Sequence, residues 1–190
     1  MKKHVEQLDI EGPLYEFDET AFVMIRTTVE GYALAIDLND LYGFGMQRVE
    51  VVGDGVDSFV VYRCYDRKRA VDVCLVENGL SARGLKGVQS DDKLLLLQGR
   101  DAERIAQMVE HDLGGGTMDG NEECALTGVR QSVINYYQQT LTTATMVRFT
   151  AEEMAAANGE IEPQVGMRLA LVRHLADIVD KVELMTKNKK

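Results

Sequence analysis

The sequence predicts an α+β fold: a mainly antiparallel sheet of four to five strands with two helices, followed by a helical C-terminal region. Between residues 21 and 98, short apolar or alternating segments of strand length recur between turn residues. Two of these segments are separated by only four residues, a spacing typical of an antiparallel hairpin. After residue 123 the apolar residues recur at helical spacing. Because strands and helices do not alternate regularly, a doubly wound parallel sheet is not expected.

The first elements follow from short local patterns. Residues 21–25 form an apolar run that predicts the first strand. Residues 27–30 read TTVE, a capping-box pattern, so the first helix is predicted to begin there. It is predicted to end at Gly43, because glycine readily adopts the left-handed conformation of a helix stop. The run LLLL at 94–97 predicts a central strand, and Asp101 predicts the N-cap of the second helix.

A hairpin is predicted on either side of the turn at residues 66–69. Pairing Arg63 directly opposite Asp72 makes a favourable cross-strand charge pair and gathers the apolar side chains on one face. In that register Cys64 and Cys74 point to opposite faces, so no disulfide between them is expected. The chain has three cysteines, an odd count without CxxC spacing, which favours small buried residues in a reducing compartment.

The length and a change of composition define the predicted domains. A chain of 190 residues is long enough for one domain or two small ones. Residues 114–122 read GGGTMDGNE and predict a glycine-rich linker. The linker would separate an α+β domain over residues 1–113 from a helical region over residues 123–190.

The helical region contains several predicted elements. An apolar stripe over residues 126–137 predicts a helix, whereas the β-branched stretch 140–150 leaves helix and strand both open. Thr150 and Glu153 form a second capping box, which predicts a short helix that ends at residues 158–159. Pro163 is suited to the first turn of the last helix.

The last helix is predicted to carry an interface. Its apolar face is too wide to remain exposed to water, so the sheet, a neighbouring helix or a second copy must cover it. We expect helix packing together with dimerisation. The predicted interface residues share one seam: Leu169, Val172, Leu175, Val179 and Val182.

Charge and hydropathy exclude some partners. The formal net charge is −10, and the basic runs at 67–69 and 187–190 are short, so nucleic-acid binding is not expected. No stretch approaches the roughly 20 apolar residues that cross a bilayer. Residues 1–10 lack the apolar core of a secretory signal, so a cytoplasmic location is expected. The expected partner is a second copy or another protein.

The sharpest motif is DLGGGTMD at residues 112–119. It resembles the phosphate motif of the superfamily of actin and the heat-shock ATPases, in which glycine amides and a Thr hydroxyl hold nucleotide phosphates. That resemblance implies a ligand-binding set made of Asp112, Gly114, Gly115, Gly116 and Thr117. In the superfamily the Asp ends a buried strand, whereas residues 103–111 have helical spacing here. The favoured interpretation is therefore a helix stop followed by a linker.

No catalytic residue, metal-ligand set or cofactor is predicted. The histidines His4, His111 and His174 share no spacing typical of a zinc site. Neither a nucleophile elbow nor a phosphate-binding loop of the GxxxxGK type occurs.

Residues 22–99 resemble a family of small bacterial proteins, the IPExxxDY family. The similar parts are FVMI at 22–25, YALAIDLN at 32–39, VVY at 60–62 and KLLLLQG at 93–99. The motif that names the family is absent, and residues 85–92 read LKGVQSDD in its place. Because that family has no established activity, the resemblance implies a fold and a bacterial source but no function.

Two functional hypotheses follow. The first is a protein without catalytic activity that acts through a protein-binding surface, as a homodimer. The alternative is a small-ligand or nucleotide-binding protein, or an enzyme, with a site near residues 77–92 and 111–119.

Overall fold

A computed structural model describes residues 19–49, 60–77, 92–115, 128–173, 175–176 and 178–179. Within these residues, six strands form one sheet: β1 (Thr20–Arg26), β2 (Gln47–Val49), β3 (Val60–Asp66), β4 (Val71–Glu77), β5 (Asp92–Gly99) and β6 (Thr143–Val147). The helices of the same described part are α1 (Gly31–Tyr42), α2 (Ala102–Gly114), α3 (Gly128–Gln139), α4 (Ala151–Ala157) and α5, which comprises 169–173, 175–176 and 178–179.

The sheet is antiparallel, with strand order β2-β3-β4-β5-β1-β6, so the predicted α+β class is confirmed. The predicted strand number of four to five differs, because the described residues contain six strands. The additional strand, β6, lies in the segment predicted as a helical region and pairs with β1 through Phe22↔Val147. Its β-branched composition left helix and strand both open. The strand forms because it pairs with the otherwise unpaired edge of β1.

Both faces of the sheet are covered. On one face, Val23, Ile25, Leu95 and Leu97 pack against α1, α2 and α3. On the other face, the alternate residues of β1 and β5 pack against α5: Phe22, Leu94 and Leu96. The predicted central strand is therefore confirmed, because β5 lies between β4 and β1 and its leucines are buried on both faces. None of the described helices is long and apolar enough to cross a membrane.

The last helix begins later than predicted, at residue 169, so Pro163 precedes it and Val165 is fully exposed. Val172, Leu175 and Val179 are only 1%, 2% and 4% exposed, within a single chain. Leu175 and Val179 pack with the second sheet face. Leu169 is half-buried, and Val182 lies outside the described residues. Three of the five predicted interface residues are therefore buried within this chain, where the sheet has its own apolar face to cover.

The hairpin between β3 and β4 forms, but its predicted register is wrong by two residues. Arg63 lies opposite Cys74, and Asp72 lies opposite Tyr65. A shift of two residues keeps every side chain on its predicted face. Arg63 and Asp72 are thus diagonal neighbours and still form an ion pair, with Arg63 Nε 2.9 Å from Asp72 Oδ1. Cys64 and Cys74 lie on opposite faces, as predicted.

The capping predictions give mixed outcomes. The predicted box at 27–30 is wrong: α1 begins at Gly31, and its N-cap Glu30 makes no side-chain cap. The Thr27 hydroxyl instead accepts a hydrogen bond from Thr142 Oγ1 at 2.9 Å, which ties the end of β1 to the start of β6. The left-handed stop at Gly43 is confirmed, with φ of 69°. The second box is confirmed at α4, where Thr150 is the N-cap.

Candidate functional site

The glycine motif lies at the end of a helix. Asp112 and Gly114 belong to α2, and Gly115 ends it with φ of 70° while its N–H donates to the His111 carbonyl oxygen at 3.1 Å. The helix-stop interpretation is therefore confirmed for these residues. Gly116 and Thr117 lie outside the described residues, as does the rest of the predicted linker. The strand that would precede a nucleotide-binding turn is replaced here by α2.

The fold explains why two positions of the motif are glycine. A Cβ on Gly114 would lie 2.6 Å from the Ala144 carbonyl oxygen, so α2 can approach β6 only with glycine there. Gly115 supplies the left-handed conformation that a side chain would disfavour. Glu110, one turn earlier, accepts a hydrogen bond from the Met146 amide at 2.8 Å. The end of α2 thus covers the outer edge of β6.

Asp112 is the centre of a buried polar cluster that joins three helices. Its Oδ2 accepts a hydrogen bond from the Tyr42 hydroxyl of α1 at 3.0 Å and lies 3.4 Å from Arg130 Nη2 of α3. His111 Nδ1 lies 3.0 Å from Oδ1. Burial, and then the charge of Asp112, raises the pKa of Tyr42, so the hydroxyl stays protonated and donates. Protein groups therefore use the carboxylate that the resemblance assigned to a ligand.

The other predicted site region is only partly described. Of residues 77–92, the structure describes Glu77 at the end of β4 and residue 92 at the start of β5. In the part of the chain that is described, no group of three or more His, Cys, Asp and Glu side chains could hold a metal ion. Burial raises the pKa of Cys74 to about 12 and also raises the pKa of Cys64, so both thiols stay protonated near neutral pH.

A groove lies at one end of the sheet, with a volume of about 620 Å³. We call it the β1–α4 groove. Its lining comes from the start of β1, the end of β5, the first turn of α2, the end of β6 and α4: Glu19, Thr20, Ala21, Phe22, Gly99, Arg100, Glu103, Met146, Val147, Arg148, Phe149, Ala151 and Met154.

The topology explains why these elements meet. Because β1 runs antiparallel to both neighbours, its start lies beside the ends of β5 and β6, with Thr20↔Gln98 and Phe22↔Val147. The chain that leaves β5 turns at once into α2, and the chain that leaves β6 turns into α4 after three residues. Two helix starts therefore flank the same end of the sheet.

Part of the groove lining is apolar. Phe22 and Phe149 contact each other edge to face, with ring centroids 6.1 Å apart. Met154 adds a flexible, partly exposed thioether side chain from α4, whereas Met146 is buried in the core of the other sheet face. Such a surface adapts to apolar ligands of different shape, because methionine has few fixed rotamers and aromatic rings offer a broad contact area.

The rim of the groove carries charges of both signs: Glu19, Arg100, Glu103 and Arg148. Arg148 is more than half exposed, and its nearest carboxylate oxygen, Glu110 Oε2, is 4.0 Å from Nη2. That separation exceeds the 2.7–2.9 Å of a charge-assisted hydrogen bond, so the guanidinium can bind another group.

The wall formed by α4 is fixed by Arg168. Its Nε and Nη2 donate to the Glu153 carboxylate at 2.9 and 3.0 Å, and Nη2 also donates to the Arg148 carbonyl oxygen. Its guanidinium lies 5.5 Å from the centroid of the Phe149 ring. These hydrogen bonds, together with the Thr150 amide, lower the pKa of Glu153 to about 2. The carboxylate is therefore ionised near neutral pH and holds α4 against the strand ends.

Sequence reasoning did not predict this groove. The capping box at Thr150 located α4 correctly, but its position depended on β6, for which helix and strand were both open. If residues 143–147 had been predicted as a strand paired with the first strand, the start of α4 would have been expected beside Thr20. The available signal was the alternation of polar and apolar residues in TATMV, which the structure shows as alternately exposed and buried.

No model of a known protein family matches the chain, and no curated protein matches it.

Proposed function

We propose that this protein is a binding protein without catalytic activity and that the β1–α4 groove is its binding site. One observation carries the proposal: a cavity of about 620 Å³ whose lining combines apolar side chains with charged ones. Ligand sites in proteins have volumes of about 300–1,000 Å³ and combine apolar walls with a few polar groups that orient the ligand.

The chemistry of the lining favours binding over covalent catalysis. The described lining residues include no histidine, cysteine or serine, and the two carboxylates, Glu19 and Glu103, are exposed at the rim. The buried cluster at Asp112 is saturated by Tyr42, Arg130 and His111, which supports a structural role that joins α1, α2 and α3.

A fragment screen tests the proposal. Ala151 lines the groove, so Ala151→Trp places an indole in it, whereas Ala170→Trp changes an exposed alanine on α5 away from it. We expect saturation-transfer NMR to detect apolar fragments that bind both the wild type and Ala170→Trp. The same fragments should not bind Ala151→Trp. Fragments that bind all three proteins equally, or no bound fragment, would refute the groove as the binding site.

Homodimerisation, the cytoplasmic location and the relation of residues 22–99 to the IPExxxDY family stay predictions. The seam at Val172 and Val179 packs within the chain, so a dimer would need another surface. Size-exclusion chromatography with light scattering at several concentrations decides between monomer and dimer.

A further inference from the structure

We infer that the β1–α4 groove binds a short apolar peptide with a free ammonium and a free carboxylate, two or three residues long. This inference rests on the proposed function, and it names the chemical class of the ligand. Three features of the groove carry it: the sign and balance of the rim charges, the absence of strong pairing at those charges, and the apolar part of the lining.

The rim charges are balanced. Two arginines, Arg100 and Arg148, face the same cavity as two carboxylates, Glu19 and Glu103. A ligand with only a negative charge would pair with the arginines but would bring its charge near two carboxylates. A neutral apolar ligand would displace water from all four groups without replacing those hydrogen bonds. A ligand with one charge of each sign is complementary to both pairs.

The rim charges also remain open to a ligand. In the described part of the chain Arg100 has no ion-pair partner, and Arg148 has only the distant contact to Glu110. Glu103 accepts one weak hydrogen bond from Gln107, at 3.4 Å on the same helix. By contrast, the arginine behind the groove wall, Arg168, is fully engaged by Glu153. Arg168 is therefore a structural arginine, whereas Arg100 and Arg148 face the cavity and remain available to a ligand.

The interior sets the side chains of the ligand. Phe149 and Met154 are partly exposed and offer aromatic and thioether contacts, whereas Phe22 and Met146 lie beneath the surface, 1% and 9% exposed. The volume of about 620 Å³ exceeds what one amino acid fills and suits two or three apolar residues. Leucyl-leucine is therefore a suitable probe.

A series of capped probes tests the inference by isothermal titration calorimetry with the full chain. The probes are Leu-Leu, its N-acetyl form, its C-terminal amide, the doubly capped form, and octanoate as an apolar anion. We expect Leu-Leu to bind about tenfold more tightly than either singly capped form, and the doubly capped form to bind most weakly.

Charge variants assign each end. The double variant Arg100→Gln/Arg148→Gln should bind Leu-Leu and its C-terminal amide with about equal affinity, because the groups that prefer the free carboxylate are gone. The double variant Glu19→Gln/Glu103→Gln should bind Leu-Leu and its N-acetyl form with about equal affinity. Arg173→Gln, an exposed arginine on α5, is the control and should change neither ratio.

The outcomes separate this inference from the proposed function. If the doubly capped form or octanoate binds as tightly as Leu-Leu, or if no probe binds at 5 mM while the fragment screen succeeds, the inference is refuted and the groove remains a binding site. If Ala151→Trp binds every fragment and probe as the wild type does, both the inference and the proposed function fail.

Discussion

Replacement of Glu153 by glutamine tests the interaction that fixes α4. The carboxylate is 7% exposed and accepts hydrogen bonds from Arg168 Nε at 2.9 Å, Arg168 Nη2 at 3.0 Å and the Thr150 amide at 3.0 Å. Glutamine keeps the shape and one acceptor oxygen but removes the charge. Glu153→Gln therefore weakens the pairing with Arg168 without creating a cavity.

The expected magnitude follows from the pKa. The pKa of Glu153 falls from 4.5 to about 2, a difference that corresponds to about 3 kcal/mol of stability in a fully shielded pair. Arg168 is nearly half exposed, so solvent screening reduces the expected loss to about 1–2 kcal/mol at pH 7.

The pH dependence has a definite sign. Because the pKa is lower in the folded protein, the contribution of Glu153 is complete above about pH 5 and is lost as the pH falls toward 2. The difference between wild type and Glu153→Gln should therefore be largest at pH 7 and smaller at pH 3.5.

Urea unfolding followed by circular dichroism at both pH values measures this difference. Glu152→Gln is the matched control, since Glu152 is exposed in the same helical turn and should change the free energy of unfolding by less than about 0.5 kcal/mol. Equal effects of the two substitutions, or a difference that grows as the pH falls, would refute the reasoning.

Three further substitutions can be compared by urea unfolding. Gly114→Ala should lower the free energy of unfolding by about 1–3 kcal/mol, because its Cβ would meet a β6 carbonyl oxygen at 2.6 Å, whereas Gly45→Ala has open space and should be neutral. Leu175→Ala should cost about 2–4 kcal/mol and Val165→Ala almost nothing, and equal effects would contradict the packing of α5. Asp112→Asn should cost about 2 kcal/mol, and unchanged stability would contradict the three-helix cluster.

Local pattern predicted the elements whose signals lie within a few residues. The run at 94–97 is apolar at every position because β5 is buried on both faces, and the box at Thr150 works because its two partners are three residues apart. The same pattern failed at residue 27, where the hydroxyl bonds Thr142, more than one hundred residues away along the chain. Such competition between local and distant partners is not visible in a short window.

The groove could not be predicted because it depends on strand order. Its apolar residues, such as Phe22 and Met146, read as ordinary core positions, and its rim charges read as a solvated surface. Only the pairing of β6 with β1 brings them to one place. Likewise, the seam at Leu175 correctly indicated a buried face, but the sequence does not say whether the cover is a second copy or the chain's own sheet.

The place of β1 between β5 and β6 has a consequence for biosynthesis. β1 is made early, yet its partner Val147 emerges from the ribosome more than one hundred residues after Phe22. Until then β1 is an unprotected edge with apolar side chains on both faces, a surface that recruits other strands and favours aggregation. A nascent chain that stops after α2 should therefore aggregate more readily than the full chain, and the wall of the β1–α4 groove would exist only once the strand-and-helix unit of β6 and α4 has been added.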